Sequence, residues 1–355
     1  NTIIGYHAGY NCTGKNNVAI GSHALYNCSN DSHIAIGYNA GYSNYGGTNN
    51  IYIGYEAGFG YSSNACNQNI MIGYKAGYSI NEGDNNIIIG RQAGYYISSG
   101  YGNIILGDYG GHYIRSGYYN ILIGRNAGRC LDAGYHNTFI GDQAGYHAGR
   151  GGSHTVSSNT CIGSHAGYHL SHGSNNLMFG HYAGSSTTSG SENVYLGTYS
   201  GRYTSTGYGN IAIGYQSGYC MYAGYDNMCI GYQTGRHMKD SYRNTFIGYQ
   251  SGYHAGRNTS GNEYVIYNNM TIGYKAGYHI SSANHNTLMG AHAGYNVLTG
   301  EYNCCIGHDA GYYINSGYSN TCIGSQAGNS ITTGYENTCI GRHAGRYIST
   351  QYYNT

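Results

Sequence analysis

Residues 137–146 read Asn-Thr-Phe-Ile-Gly-Asp-Gln-Ala-Gly-Tyr, and variants of this stretch recur along the whole sequence. Aligned on Asn-x-x-Ile-Gly, the 355 residues divide into about twenty coils of mostly 17 residues. The longer coils contain insertions near 60–66, 147–158 and 254–268. Tandem repeats of this length predict a single continuous solenoid over residues 1–355, in which each unit completes its core against its neighbours. Because the sequence starts and stops within a repeat, we expect it to be a segment of a longer repeat protein.

The composition argues against several other classes of protein. The chain holds 62 Gly, 47 Tyr, no Pro and no Trp, and only 8% of its residues are charged. Glycine does not recur at every third position, which excludes a collagen triple helix, and the many aromatic residues argue against disorder. A net charge of +1 provides no basic surface for nucleic acid. No apolar run approaches the roughly 20 residues of a membrane span, so we expect neither nucleic-acid binding nor membrane insertion.

Four positions of the coil carry the fold, and the coil that begins at Asn137 shows all of them. Position 1 is Asn in every coil except the one that begins at His33, and stacked amides can hydrogen-bond in a ladder. Ile140, at position 4, is predicted to fill the core, and Gly141, at position 5, to form a turn. Tyr146, at position 10, belongs to a row of stacked tyrosines. The pattern predicts an all-β fold: a parallel β-solenoid, or flattened β-roll, with two short strands per coil.

The first strand of each coil is apolar on both of its faces. We expect the side chains at positions 2 and 4 to point into the core and those at position 3 to point outward. Position 3 is nevertheless often apolar, as at Ile88, Leu122 and Phe139. Because a strand that is apolar on both faces is usually covered on both, this outer ridge predicts self-association, as a homotrimer or a stacked or bundled filament. The alternative is β-propensity on a solvated face.

The repeat resembles the NTAIGYQA-type repeats of phage tail fibres and giant-virus surface proteins, and more distantly the head repeats of trimeric autotransporter adhesins. Residues 137–146 carry the resemblance, and residues 21–26 (Gly-Ser-His-Ala-Leu-Tyr) are nearest to its common form. It covers the whole chain, and it implies a β-roll, often trimeric, displayed outside a cell or on a particle. Gly at position 9, the many Tyr and Cys residues and the insertions depart from the family's pattern.

The eleven cysteines lack the Cys-x-x-Cys spacing of zinc sites. Cys12 and Cys28 occupy position 12 of adjacent coils, and Cys322 and Cys339 occupy position 3 of adjacent coils, so each pair is close enough for a disulfide. The alternative is that all four are small buried thiols. Three position-7 histidines, His165, His292 and His343, are scattered over distant coils, so we expect no metal site and no cofactor.

Four sequons lie on predicted turns or insertions, and they begin at Asn11, Asn27, Asn30 and Asn258. Three of them fall within the first two coils, where they would form a cluster of N-linked glycans if the source attaches such glycans. The alternative is that these short motifs occur by chance.

Two of the insertions begin with the same four residues, His-Ala-Gly-Arg, at 147–150 and 254–257. Loops that project from a rigid scaffold are where binding residues concentrate. The candidate binding residues are therefore His147 and Arg150 in one loop and His254 and Arg257 in the other. The alternative is that the loops decorate the edge of the solenoid without binding anything.

We expect no catalytic activity from the charged residues. Position 6 holds Arg91, Asp108, Arg125 and Asp142 in four consecutive coils, which predicts an exposed ladder of ion pairs. An aspartate flanked by arginines stays ionised and is poorly suited to act as a general acid.

These observations favour a structural fibre or filament protein of a virion or cell surface, outside the cell, whose main partner is itself. The alternative is a receptor- or glycan-binding adhesin of the tail-fibre type, which would use the loops and the tyrosine rows. Ice binding suits β-solenoids in general, but it needs a flat array of short hydroxyl side chains, whereas the rows here are bulky tyrosines.

Overall fold

The computed structural model describes residues 1–60, 66–150, 156–258 and 260–355. The described residues form strands and turns and no helix, so none of them forms a helix that could cross a membrane. The chain divides into two compact units, Asn1–Asn176 and Leu177–Thr355. Each unit is a stack of coils with parallel strands, which confirms the prediction of an all-β parallel solenoid with coils of mostly 17 residues. That residues 1–355 form a single continuous solenoid stays a prediction.

In the first unit, each coil contributes one three-residue strand to a parallel sheet, and three coils add a second, two-residue strand. The strands are β1 (Thr2–Ile4), β2 (Asn11–Cys12), β3 (Val18–Ile20), β4 (Asn27–Cys28), β5 (Ile34–Ile36), β6 (Ser43–Asn44), β7 (Ile51–Ile53), β8 (Ile70–Ile72), β9 (Ile87–Ile89), β10 (Ile104–Leu106), β11 (Ile121–Ile123), β12 (Thr138–Ile140) and β13 (Thr160–Ile162). Neighbouring coils pair at identical positions, as Ile104 does with Ile121. Each coil position therefore becomes a row of side chains along the stack.

The second unit repeats this arrangement, with a second strand in two of its coils. Its strands are β14 (Leu177–Phe179), β15 (Val194–Leu196), β16 (Ile211–Ile213), β17 (Met228–Ile230), β18 (Thr245–Ile247), β19 (Met270–Ile272), β20 (His279–Ile280), β21 (Thr287–Met289), β22 (Asn296–Val297), β23 (Cys304–Ile306), β24 (Thr321–Ile323) and β25 (Thr338–Ile340). Single parallel bridges also join neighbouring coils at position 16 in both units, as between Tyr118 and Tyr135 or Tyr225 and Tyr242.

The prediction for the two faces of the main strand is wrong. Position 3 lies in the interior, where Leu122 and Phe139 are 0% exposed, whereas positions 2 and 4 point outward. Ile140, predicted to fill the core, is only half-buried. The inward orientation of position 3 depends on the glycine at position 9, which leaves room for it. A Cβ added to Gly145 would lie 2.5 Å from Cδ2 of Phe139. Position 9 is glycine because the side chain at position 3 fills the space beside it.

Size compensation explains why position 3 varies more than position 4. A core position can change volume if a neighbour changes in the opposite sense. The coil with Leu25 at position 9 in place of glycine has Ala19 at position 3, and the next coil has Ala35 there. Leu25 is fully buried, with its Cδ2 directed towards Gly41. Position 4 faces outward, where its nearly constant Ile is not required for packing within the coil.

The glycine at position 5 is required by the close approach of successive coils. Gly107 has φ +135°, and a Cβ there would lie 2.5 Å from the carbonyl oxygen of Gly124. The same contact recurs between Gly124 and Gly141. A side chain at this corner would therefore strain the backbone and separate neighbouring coils.

The asparagines at position 1 form a buried hydrogen-bonded row. The Asn103 side-chain nitrogen donates to Oδ1 of Asn86 at 3.0 Å and to the carbonyl oxygen of Gly117 at 2.8 Å. Where the row contains His33, the main-chain nitrogen of His33 donates to Oδ1 of Asn17 and its ring nitrogen accepts from the main chain of Asn50. The row thus satisfies buried amides that would otherwise cost about 1–3 kcal/mol each.

Aromatic rings form further rows on the surface. At position 10, Tyr146 stacks on Tyr168 with ring centroids 5.2 Å apart, and Tyr42 stacks on Phe59 at 5.1 Å. A row at position 16 was not anticipated from the sequence, and it includes Tyr118, stacked on Tyr135 at 5.0 Å. The coil spacing sets these separations, which fall in the range of favourable offset stacking.

Candidate binding site

In the sequence, each of the three insertions follows position 11 or 12 of its coil. In the second insertion, Ala148 takes the interior position 12, and Val156 returns to the interior after the loop. In the third, Ala255 and Ile266 are the equivalent buried residues. The second apolar residue supplies the volume that the small alanine leaves unfilled. Residues 61–65 and 151–155 and Thr259, which belong to these insertions, lie outside the described residues.

The insertion in the second unit folds back as a short hairpin. Arg257 and Glu263 pair as an antiparallel bridge, and Asn258 Oδ1 accepts from the main-chain nitrogen of Asn262 at 2.8 Å. Two grooves lie against this hairpin. One, of about 360 Å³, is lined by His254, Arg257, Asn258, Gly261 and His279, and the other, of about 380 Å³, contains the ion pair of Lys239 with Glu263.

The loop of the first unit borders the larger cavity, which we call the loop groove. It has a volume of about 810 Å³, and its lining residues are Tyr96, Tyr113, Arg115, Arg129, Cys130, Asp132, Tyr146, His147, Gly149 and Arg150. Three tyrosine rings and three arginines therefore face one space beside the loop. The candidate binding residues His147 and Arg150 both lie in it.

Two arginines of the loop groove have no carboxylate partner among the described residues. Arg115 is paired with Asp132, whose Oδ1 accepts from its Nε at 2.6 Å. Arg129 donates to the Tyr146 hydroxyl at 2.9 Å, and its Nε is buried without a hydrogen-bond partner among the described residues. Arg150 contacts the Nδ1 of His147 at 3.4 Å. The groove thus carries positive charge on a largely aromatic surface, which suits anionic ligands with a flat face.

Histidines at position 11 stack in short rows beside the inserted loops. His254 stacks on His237 at 5.5 Å and on His279 at 4.9 Å, with rings nearly parallel. Burial, followed by the charge of Arg236, lowers the pKa of His237 to about 4. Burial, followed by the charge of His279, lowers the pKa of His254 to about 4. Burial and the nearby Arg150 also lower the pKa of His147, so these rings are uncharged at neutral pH.

The four sequon asparagines lie in different surroundings. Asn11 is exposed and donates to Oδ1 of Asn27 at 2.8 Å. Asn27 is only 8% exposed, which argues against a glycan on its side chain in the folded chain. Asn30 is half-buried, and Asn258 lies in the hairpin, where its side-chain nitrogen contacts the Tyr264 hydroxyl.

All eleven cysteines are free thiols. Cys12 and Cys28 are Cα partners of neighbouring strands, as are Cys322 and Cys339. Burial, followed by the neighbouring Cys12, raises the pKa of Cys28 to about 12. The structure therefore brings the two residues of each predicted pair side by side in neighbouring coils.

The charged residues at position 6 form separate ion pairs. Arg91 lies 3.4 Å from Asp108, and Arg125 lies 2.9 Å from Asp142. The Arg125 guanidinium lowers the pKa of Asp142, so this carboxylate remains ionised at neutral pH. Each pair is an exposed electrostatic contact of small energy.

Comparison with protein-family models, curated proteins and solved structures finds no match for the chain. The repetitive parallel solenoid is thus established by the chain's own coordinates. The likeness to fibre repeats depends on the sequence motif alone.

Most residues of the loop groove are not in the loop, and the sequence prediction missed them. Tyr96, Tyr113 and Arg129 come from preceding coils and line the same groove as the loop residues only because the coils stack in register. A signal was present at position 10, where Arg129 interrupts the row of aromatic residues. Its place directly before Tyr146 in that row puts its guanidinium 5.7 Å from the Tyr146 ring centroid.

Proposed function

We propose that this protein is a structural fibre or filament component, displayed on a virion or cell surface, which assembles with further copies of itself. The observation that carries the proposal is the composition of the outer sheet face, formed by positions 2 and 4 of the main strands. In both units these rows hold Ile, Leu, Val, Met, Phe, Thr and Cys, and no charged residue. Ile34, Ile36 and Ile89 are each 37% exposed.

The residues of the outer sheet face are distributed as in a protein–protein interface. Its apolar rows are flanked at position 6 by exposed tyrosines and ion pairs, such as Tyr232 and the pair of Arg125 with Asp142. An apolar centre with a polar and tyrosine-rich border is typical of protein–protein contacts. Extended apolar surfaces of this kind are rarely left exposed to water.

A second copy of the same chain is the partner that fits this face best. Neighbouring strands lie about 4.8 Å apart, so the rows repeat at that spacing along the stack. Only a partner whose rows repeat at the same spacing can match this face over many coils. Another copy of the chain has that spacing because it is built from the same coils. The rows at positions 2 and 4 thus take the place of the outer ridge predicted at position 3, and a homotrimer or a bundled filament remains the proposed assembled form.

Sedimentation velocity of the wild-type chain and a charged variant tests this proposal. We expect the wild type to sediment as an assembly larger than its 38.2 kDa monomer. The double variant Ile121→Lys/Ile123→Lys places two charges on the outer sheet face and should sediment as a folded monomer, with unchanged circular dichroism.

A matched control adds the same charge elsewhere. The variant Ser99→Lys/Ser116→Lys changes two exposed turn residues of nearby coils and should assemble like the wild type. A wild-type chain that stays monomeric up to about 100 µM, or assembly that survives both lysines at 121 and 123, would contradict the proposal.

A second function, recognition of an anionic glycan or receptor, is favoured by the loop groove. Carbohydrate ligands stack on aromatic rings, and Arg129 and Arg150 provide charge that no carboxylate among the described residues neutralises. A glycan array tests it: binding of carboxylated or sulfated glycans should be lost in Tyr113→Ala/Arg150→Ala. The control Arg342→Ala, an exposed arginine outside the groove, should bind as the wild type does, and a wild type without glycan binding would refute this function.

A further inference from the structure

Two adjacent coils of the second unit bring two imidazoles and a carboxylate together. His292 and Asp309 both occupy position 7, in successive coils, and His308 directly precedes Asp309. The backbone at position 7 is left-handed, with φ 56° at His292 and 53° at Asp309. The main-chain nitrogen of each donates to the preceding coil, to Tyr274 and Ala291 respectively. The coil stacking therefore fixes the spacing of the two side chains.

The distances match those between neighbouring ligands of one metal ion. Nδ1 of His292 lies 3.3 Å from Oδ1 of Asp309, and Nδ1 of His308 lies 3.1 Å from Oδ2 of the same carboxylate. The ligand atoms of all three residues lie within 4.8 Å of one another. Bonds of about 2.0–2.1 Å at tetrahedral angles place neighbouring ligand atoms roughly 3.3 Å apart. Small side-chain rotations would therefore let the three atoms face one ion.

Two side chains of the next coil contact Asp309, and the site is open to solvent. Asn329 donates to the main-chain oxygen of Asp309 at 3.2 Å, and Gln326 lies 3.5 Å from its Oδ2. The side chain of Asp309 is 18% exposed, whereas that of His308 is 59% exposed. An ion bound here would be held by one shielded carboxylate and would keep positions for water.

A lysine of the preceding coil places its ammonium over two tyrosine rings. Lys275 occupies position 7 of the coil before His292. Its ammonium lies over the rings of Tyr274 and Tyr278, at 5.4 and 5.5 Å from their centroids. Within the cluster itself, the carboxylate of Asp309 supplies the negative charge that favours a cation.

We propose that His292, His308 and Asp309 form a binding site for a borderline divalent cation, Zn²⁺ above all. Two imidazole nitrogens and one carboxylate oxygen are a donor set typical of zinc, and also of Cu²⁺, Ni²⁺ and Co²⁺. The ion would link two neighbouring coils across their surface. This inference does not depend on the proposed fibre function.

Isothermal titration calorimetry of the full chain with ZnCl₂ tests the site, at about pH 7.5, where free imidazoles are mostly neutral. We expect one equivalent of Zn²⁺ to bind, and His308→Gln and Asp309→Asn each to weaken binding at least about tenfold. His308 is mostly exposed, so its replacement leaves the fold intact. Co²⁺ in place of Zn²⁺ should give a visible absorption band that both variants lack.

The control is His343→Gln. His343 is an exposed histidine that also occupies position 7, but the preceding coil has Gln326 at that position, which is not a metal ligand of this kind. The variant should bind Zn²⁺ like the wild type. The inference is wrong if the wild type shows no stoichiometric binding at concentrations up to about 100 µM. Equal affinity in the wild type, His308→Gln and Asp309→Asn would refute it as well.

Discussion

Both amide nitrogens of Asn120, in the main chain and in the side chain, lie 3.0 Å from Oδ1 of Asn103. One buried oxygen thus accepts two hydrogen bonds from the next coil. The same Asn120 side chain also donates to the carbonyl oxygen of Gly134 at 2.8 Å. The side chain at position 1 therefore links polar groups of successive coils that are buried by stacking.

We expect Asn120→Ala to lower the free energy of unfolding by about 2–3 kcal/mol. The change removes four side-chain hydrogen bonds, two donated to Asn103 and Gly134 and two accepted from Asn137. It leaves the carbonyl oxygen of Gly134 without this donor and the amide groups of Asn137 without this acceptor. Guanidinium denaturation followed by circular dichroism measures the effect. Ser116→Ala, at an exposed position of the preceding coil, should change stability by less than about 0.5 kcal/mol. Equal stability of the two variants would show that the row contributes nothing.

The glycine corner allows the cost of backbone strain to be separated from the cost of coil stacking. A Cβ at Gly324 would lie 2.7 Å from the carbonyl carbon of Gly341, whereas a Cβ at Gly341 would meet nothing within 4 Å. Both residues have positive φ, at +128° and +119°. In the 355-residue chain, Gly324→Ala should destabilise more than Gly341→Ala by about 1–3 kcal/mol, since only the former forces two coils apart. Thermal unfolding compares the two, and indistinguishable melting temperatures would contradict the stacking account.

Thiol alkylation tests the state of the cysteines. Burial raises the pKa values of Cys28 and Cys229 to about 12. Because the thiolate is the reactive form, neither should be labelled by iodoacetamide in the folded chain at about pH 8, whereas the more exposed Cys12 should react. In denaturant without reductant, all eleven should be labelled. A pair such as Cys322 and Cys339 that reacts only after reduction would instead reveal a disulfide.

The stacked histidines predict a loss of stability in mild acid. His237 and His254 have folded pKa values of about 4, below the value of about 6.5 in an unfolded chain. As the pH falls from about 6.5 to about 4, the unfolded chain takes up protons that the folded chain does not, so stability decreases across this window. Arg236, Arg257, His279 and Glu263 are the charged or titratable groups that act on the pair.

The expected size of this loss is on the order of 1 kcal/mol per histidine, because both rings are partly exposed. Denaturation at a series of pH values measures it. The variant His237→Gln/His254→Gln should show a shallower decline than the wild type, and His343→Gln should follow the wild-type curve. Parallel curves for the wild type and the double variant would contradict the assignment.

The repeat predicted the fold because the constraints at Asn137 and Gly141 depend on neighbouring coils and must therefore recur in every coil. The orientation of the strand was not predicted, because position 4, occupied by Ile140, is nearly constant between coils, whereas position 3, occupied by Phe139, varies. Constancy suggested the core, but a core row tolerates changes in size when its neighbours compensate, as Ala19 and Leu25 illustrate.

The candidate sites were predictable only where one segment of chain contains their residues. His147 and Arg150 were identified because they belong to one repeated loop. Arg129 and the cluster around Asp309 were missed, since their partners lie one coil away along the chain. When each coil position is aligned as a column, His292 falls directly beside Asp309, so groups of this kind can be found in a repeat sequence by comparing columns of successive coils.

The contact between one coil and the next recurs along each unit, with a position-1 side chain, an asparagine except at His33, at one corner and a glycine carbonyl at another. Unequal recombination between coils with matching core residues would therefore create no new kind of junction, so the number of coils can change without loss of fold. The matching loops at 147–150 and 254–257 are what duplication of a block of coils would leave behind. A gene of this kind can lengthen its protein by whole coils, and duplication of a coil also duplicates the loop inserted in it.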